Sequence, residues 1–266
     1  MDILSRIVAQ KKAEIASAAR HRPLAALRAQ AEDAGARRGF GRALRHPGPG
    51  GVNIIAEIKR ASPSKGLLSA DLDAARTAGA YHAGGAVALS VLTDETFFHG
   101  SAEDLRIARA AAPLPVLRKD FLIDAYQVYE SAVMGADAVL LICRILTVQQ
   151  LEDLMGLSRE LGLDTLVEIH SREDLEMARA ARAPLVGINN RNLSTFETNL
   201  QTAMGMVRDL APTQVPVAAS GIGGPADIRR NLECGIFNFL VGETLVRAGD
   251  PADALRSMIQ AGERNV

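Results

Sequence analysis

From residue 52 onward the chain repeats one unit: a short apolar run, a polar loop and an amphipathic helical stretch. The apolar runs are Val52–Lys59, Ala86–Thr93, Pro115–Lys119, Ala138–Ile142, Asp164–Ile169, Leu185–Asn189, Pro216–Ser220 and Phe237–Gly242. Helical periodicity fills residues 71–83, 101–111, 124–134, 147–161, 171–181, 199–209, 225–234 and 250–260 between and after them. Runs of this length read as strands, and strands that alternate with helices imply a parallel sheet whose crossovers are helical. Eight such units in about 215 residues fit a closed (β/α)8 (TIM) barrel, an α/β fold. The alternative is an open doubly wound sheet. That fold usually has fewer strands and a Gly-x-Gly-x-x-Gly turn after its first strand, which is absent here.

The preceding 51 residues follow another pattern. Ile3, Leu4, Ile7, Val8 and Ile15 recur at spacings of three and four with charges between them, as in an amphipathic helix. Leu24, Leu27 and Phe40 continue the pattern more weakly, and His46-Pro47-Gly48-Pro49-Gly50-Gly51 ends it. The segment is too polar to form a core alone. The expected organisation is a helical extension, residues 1–51, packed on a catalytic barrel of residues 52–266. A formal net charge of −1 gives no global field to gather nucleic acid or an anionic membrane. Aromatics are 4% with no Trp, which argues against a base-stacking platform. No apolar run approaches the ~18 residues that span a bilayer. Asp2, Arg6, Lys11 and Lys12 are followed by no apolar block, so no secretory signal is expected. Cys143 and Cys234 lack metal or redox spacing, and no histidine–carboxylate set has metal spacing, so no metal is expected. Cytoplasm is the expected location.

Charge placement carries more information. In Ile54-Ile55-Ala56-Glu57-Ile58-Lys59 the carboxylate and the ammonium lie two apart and so point to one side of a strand. Burying both is costly unless they pair or do chemistry, and both readings stand on this stretch alone. Other strand ends add Ser90 and Thr93, then Arg118-Lys119-Asp120-Phe121, Glu168, Asn189-Asn190-Arg191-Asn192-Leu193, Ser220-Gly221-Ile222-Gly223-Gly224 and Gly242-Glu243-Thr244. In a barrel these ends converge on one mouth. Ser69 and Ser101 read as helix N-caps, but two lysines, two glutamates, Asn and Arg at one rim exceed what capping needs. The turns at Ser220-Gly221 and Gly242 leave backbone amides open to a phosphate, with the amide rather than the carboxylate of Glu243 expected to face it. The alternative is that these glycines only permit tight turns. Phe98, Phe121 and Leu193 either line a pocket for a flat apolar group or pack the loops. His99 and His170 are expected at the surface or in supporting roles, and Arg144 and Arg182 as solvated or structural.

With these residues assembled, the chain resembles the indole-3-glycerol phosphate synthases of tryptophan biosynthesis over nearly its whole length. The matching blocks are Ile55-Ala56-Glu57-Ile58-Lys59-Arg60-Ala61-Ser62-Pro63-Ser64, Leu92-Thr93-Asp94-Glu95 with Phe98 and Gly100-Ser101, Arg118-Lys119-Asp120-Phe121, Val167-Glu168, Gly187-Ile188-Asn189-Asn190-Arg191-Asn192-Leu193 and Ser220-Gly221-Ile222. The resemblance implies a decarboxylating lyase acting on 1-(2-carboxyphenylamino)-1-deoxyribulose 5-phosphate without cofactor or metal. It implies a phosphate on Ser62, Ser220, Gly221, Gly242 and the Glu243 amide, and an aryl ring against Phe98, Phe121 and Leu193. It makes Lys119 the general acid of ring closure, leaves Glu168, Lys59 and Glu57 to share the dehydration, and gives Asn189 and Arg191 to the sugar hydroxyls or the carboxylate. The expected partner is a phosphorylated small molecule, not nucleic acid or membrane, with the chain a monomer or weak homodimer. One position departs from the family: a Glu usually precedes the Ser-Gly-Ile block, and here Ala219 stands there. A paralogue with altered chemistry, a ligand-binding barrel, a Schiff-base aldolase and a sibling phosphoribosyl sugar isomerase are the competing readings.

Overall fold

The computed structural model describes residues 2–48, 50–192, 195 and 197–263. Among these, eight parallel strands close a barrel in sequence order: β1 (Asn53–Ile58), β2 (Ala88–Leu92), β3 (Val116–Lys119), β4 (Ala138–Ile142), β5 (Asp164–Ile169), β6 (Leu185–Asn189), β7 (Val215–Ala219) and β8 (Asn238–Val241), with β8 pairing back to β1. Three helices come first, α1 (Ile3–His21), α2 (Leu24–Glu32) and α3 (Phe40–Leu44). The crossovers carry α4 (Ala74–Ala83), α5 (Glu95–Phe98), α6 (Ala102–Ala111), α7 (Ala125–Met134), α8 (Val148–Glu160), α9 (Arg172–Ala180), α10 (Gln201–Met206) and α11 (Pro225–Leu232); α12 (Glu243–Val246) and α13 (Pro251–Glu263) follow β8. The short helices α5 and α12 fall in stretches that read as rim loops. At four residues each they are barely one turn long and carry no detectable period.

Loop chemistry starts the helices. Asp94, Ser101, Asp124 and Ser171 each accept a backbone N–H in the first turn of the helix that follows, and Thr147 with Gln150 forms a capping box on α8. The cap of α4 is Asp73, which accepts from Arg76 N at 3.0 Å, and not Ser69.

Strand alternation sorts the residues into two layers. Ile54, Ala56, Ile58, Val139, Leu141, Val186 and Ile188 face the helices, while Ile55, Leu117, Leu140, Leu166, Val217 and Leu240 fill the barrel interior. Continuing the inward set toward the C-terminal ends brings Glu57 and Lys59 (β1 and just beyond), Lys119 (β3), Glu168 (β5), Asn189 (β6), Ala219 (β7) and Gly242 (after β8) to one level. Register fixes the neighbours: Asn189 pairs with Ala219, and Ala219 with Leu240.

The N-terminal helices run along the whole barrel. Phe40 and Leu44 of α3 are fully buried among the first residues of the strands, and Gly41 N donates to Asp164 Oδ2 at 2.8 Å there. At the opposite end Ile3, Leu4 and Ile7 of α1 border the mouth cavity. Lys11 of α1 is buried and bonded to Asp94 (2.7 Å), Glu14 (2.8 Å) and Asp120 (3.1 Å). Burial alone would lower the Lys11 ammonium's affinity for its proton, but Asp120 and Asp94 reverse that and raise it. Asp120, also bonded to Arg118 (3.1 Å) and Thr93 Oγ1 (2.6 Å), is held down at about 2 against its burial by Arg118 and Lys11.

Candidate active site

A cavity of about 880 Å³ opens at the C-terminal ends of the strands. Every residue expected at the site borders it except Leu193, which lies outside the described residues.

Two acid–base pairs form its floor. Lys59 Nζ donates to Glu57 Oε1 within β1's inward row. Lys119 Nζ of β3 stands 3.8 Å from Glu168 Oε2 of β5. Burial pushes both carboxylates toward protonation, yet the lysines prevail. Glu57 is held below its ordinary value by Lys59 and Lys119. Glu168 is pulled down to about 2 by Lys119, His170 and Asn189. Lys119 acts on both carboxylates, so the two pairs form one electrostatic unit. Its resting state has ammonium donors and carboxylate acceptors. Asn189 Nδ2 donates to Glu168 Oε1 at 3.1 Å, which fixes the carboxylate so that Oε2 faces Lys119. Gly242 makes room for the β1 pair: a Cβ there would overlap Glu57 Oε1 and lie 3.0 Å from its carboxyl carbon and 3.1 Å from Lys59 Nζ.

The glycine-bearing turns sit on the other wall. Ser220 (φ 65°) and Gly221 (φ 78°) are consecutive residues with positive φ in the turn after β7. Thr244 Oγ1 donates to Ile222 O at 2.7 Å and ties the turn after β7 to the one after β8. Ser62 lies in a two-residue hairpin, Ala61–Ser62 against Gly66–Leu67, formed by the loop after β1. Glu243, at the start of α12, does not leave its carboxylate idle: Arg247 (3.3 Å), Arg191 (3.5 Å) and Lys65 (3.7 Å) surround it. Arg191 also donates to Ser64 Oγ, and its backbone N–H to Asn189 Oδ1 at 3.0 Å. Phe98 and Phe121 meet at 5.9 Å between ring centroids, tilted by 39°, and form the apolar wall beside Lys119.

Three contributions are absent from the sequence expectation. Ile3, Leu4 and Ile7 roof the cavity, and Lys11 braces Asp94 and Asp120. Ser64 and Lys65 hold Arg191 and Glu243. Of the two expectations for His170 the supporting one fits: its side chain is only 3% exposed, with Nε2 3.3 Å from Glu168 Oε1. Its signal is the two-residue step from Glu168, which keeps it on the inward side. His99 ends α5 in the left-handed conformation (φ 53°), and Arg182 adopts φ 54° after α9.

Among the described residues no cluster of His, Cys, Asp and Glu could hold a metal ion, and no helix is long and apolar enough to cross a membrane. The family model for indole-3-glycerol phosphate synthase matches residues 4–258. An indole-3-glycerol phosphate synthase of Desulfosudis oleivorans is 57% identical over 260 residues, covering 97% of this chain and 98% of that protein. One of Syntrophobacter fumaroxidans is 50% identical, covering 98% of both. In fold alone, the chain is similar to 3-hexulose-6-phosphate synthase of Salmonella typhimurium, with TM-score 0.66, 13% identity and coverage of 80% of this chain and 100% of that one. It is likewise similar to a KGPDC of Streptococcus mutans, with TM-score 0.62, 15% identity and coverage of 80% and 98%. A full-length match of this kind, on a barrel whose mouth gathers two lysine–carboxylate pairs, an aromatic wall and a glycine-lined turn, means that the chain belongs to the indole-3-glycerol phosphate synthase family.

Proposed function

We propose that this chamber converts 1-(2-carboxyphenylamino)-1-deoxyribulose 5-phosphate to indole-3-glycerol phosphate, carbon dioxide and water in tryptophan biosynthesis. The observation that carries the assignment of roles is the pairing of each lysine with its own carboxylate across one cavity. Ring closure joins the carboxyl-bearing aromatic carbon to the ketone carbon, and the ketone oxygen must gain a proton. Lys119 supplies it: a charged ammonium beside the aromatic wall and next to an ionised Glu168 is the donor in reach. The carboxylate then leaves as carbon dioxide, and its electron pair restores aromaticity. In the dehydration Lys59 protonates the departing hydroxyl and Glu57 takes the methylene proton. Their direct contact lets the proton return from Glu57 to Lys59, so this pair resets itself.

The phosphate rests on Ser62, the Ser220-Gly221 turn, Gly242 and the Glu243 amide, with Lys65, Arg191 and Arg247 as the cations bordering that wall. The aryl ring lies on Phe98, Phe121 and Leu193, and Asn189 and Arg191 hold the sugar or the carboxylate. The same reading makes the chain a cytoplasmic monomer or weak homodimer.

The test is indole fluorescence from the purified chain with that substrate, alongside Ala219→Glu and Lys119→Ala. Turnover by the unmodified chain establishes the reaction and shows that β7 needs no carboxylate. Turnover by Ala219→Glu alone means that the chain has lost its chemistry at one position. Lys119→Ala is expected to lose about 100- to 10,000-fold in rate while still binding substrate; normal turnover removes Lys119 from its role.

A further inference from the structure

The proposed reaction draws one proton from solvent in each turnover. The substrate's carboxylate departs as neutral carbon dioxide, and the ketone oxygen departs as water carrying two protons. One of those is balanced by the methylene proton that Glu57 takes and returns to Lys59. The other, given up by Lys119, must be replaced from solvent once per turnover. The mouth, bordered by Ile3, Leu4 and Ile7, is one way in for that proton.

Behind Glu168 lies a second route. His170 Nε2 is 3.3 Å from Glu168 Oε1, and its Nδ1 is 3.9 Å from Asp174 Oδ2. The ring is 3% exposed, and neither nitrogen makes an aligned hydrogen bond. Asp174 is fixed by the His170 backbone N–H, which donates to its Oδ2 at 2.8 Å. It borders a separate outer cavity of about 960 Å³ between α1 and the loops after β4 and β5. A 3.9 Å gap is closed by one bridging water or a small ring rotation.

We propose that His170 is a positioning residue that hands a solvent proton from Asp174, in the outer cavity, to Glu168 and so recharges Lys119. This rests on the reaction proposed above. The groups around the relay suit it. On the inner side stand Glu168 and, beyond it, Lys119 and the neutral Asn189. On the outer side Arg144 Nε is 3.9 Å from Asp174 Oδ2, and Asp2 and Lys12 border the same cavity. The neighbouring Cys143 thiol is pushed up to about 12 by burial and by Asp174 and Glu168, so it stays neutral and does not compete. In each cycle the imidazole gains a proton at Nδ1 as it releases one from Nε2 to Glu168 Oε1, the carboxyl group turns to pass that proton to Lys119 on its Oε2 side, and the neutral ring tautomerises back to its Nε2–H form before the next turnover, so only N–H and O–H bonds change.

The experiment compares the unmodified chain with His170→Ala and Asp174→Asn. The second keeps the oxygen that receives the His170 amide, so it guards against a folding defect in the first. Expected are a kcat lower by roughly 10- to 100-fold at unchanged KM in both variants, and saturable rescue of His170→Ala by added imidazole at a pH where imidazolium is present. Unchanged kcat in both variants overturns the relay. So does a joint loss of kcat and substrate affinity that imidazole does not relieve, because that is the signature of packing alone. An unmodified chain that binds substrate without turning it over removes the reaction itself, a failure distinct from these two, and the relay falls with it.

Discussion

Gly242→Ala separates the two acid–base pairs. The added methyl would overlap Glu57 Oε1 and stand 3.0 Å from the carboxyl carbon and 3.1 Å from Lys59 Nζ. Ordinary contact needs about 3.5–4.0 Å, so the Glu57–Lys59 pair must move by on the order of 1 Å. What moves is the end of two side chains rather than backbone, so the fold tolerates the change and the melting temperature shifts little. The chemistry does not: a misplacement of about 1 Å costs roughly 100-fold, or about 2.7 kcal/mol of barrier. Lys119 and Glu168 are on the far strands and keep their geometry. Ring closure and decarboxylation therefore continue while dehydration slows. The assay follows carbon dioxide release and indole fluorescence in one reaction, and carbon dioxide is expected to run ahead of indole by up to one equivalent per site before both reach the slower rate. Carbon dioxide and indole appearing in step at the unmodified rate would refute the reasoning, because it would mean either that the pair tolerates displacement or that it does not serve the dehydration.

Lys11→Met leaves Asp94 and Asp120 buried with less compensation, and breaking a buried ionic cluster in this way costs about 3–5 kcal/mol. Chemical denaturation should show it, together with a raised KM, since Asp94 caps α5, which carries Phe98, and Asp120 accepts from the Phe121 N–H; a variant with unchanged midpoint and KM contradicts the bracing role. Stability should also fall in acid. Glu168 and Asp120 both titrate at about 2 in the folded chain, below the 4.5 and 3.8 of ordinary Glu and Asp. Their stabilisation is therefore complete above about pH 4.5 and is lost as pH falls toward 2, with contributions on the order of 2 kcal/mol for Asp120 and 3 kcal/mol for Glu168. An unfolding free energy that stays flat between pH 5 and pH 2.5 would mean that these carboxylates are not held as the ion pairs require.

The barrel was legible because each parallel strand is covered on both faces, so its apolar run ends abruptly where the first charge can reach the mouth. Glu57, Lys59, Lys119 and Glu168 stood out as charges in such runs. Their partners did not, because pairing across a closed sheet depends on register: Glu168 meets Asn189 through β5–β6 and Lys119 across the interior. Lys11 read as one of the charges between the apolar positions of α1. It stands four residues after Ile7 and four before Ile15, in the middle of the apolar stripe, and that placement marks a buried lysine. Glu243 was read from its own charge alone. Of the cations around it, Arg247 follows at i+4 on the same short helix, but Lys65 and Arg191 come from two separate loops that no local pattern connects.

Residues 2–45 join the two ends of the barrel. The helix that roofs the reaction chamber is continuous in chain with the one whose Phe40 and Leu44 stop the opposite opening. Roof and floor are thus one strap, fastened at the top by ion pairs around Lys11 and at the bottom by apolar contact. Ion pairs this deeply buried are screened only weakly by salt, so ionic strength should leave both fastenings in place. Acid acts on the upper one alone: as Asp120 takes up a proton near pH 2 the roof loosens, while the apolar floor has no charge to lose.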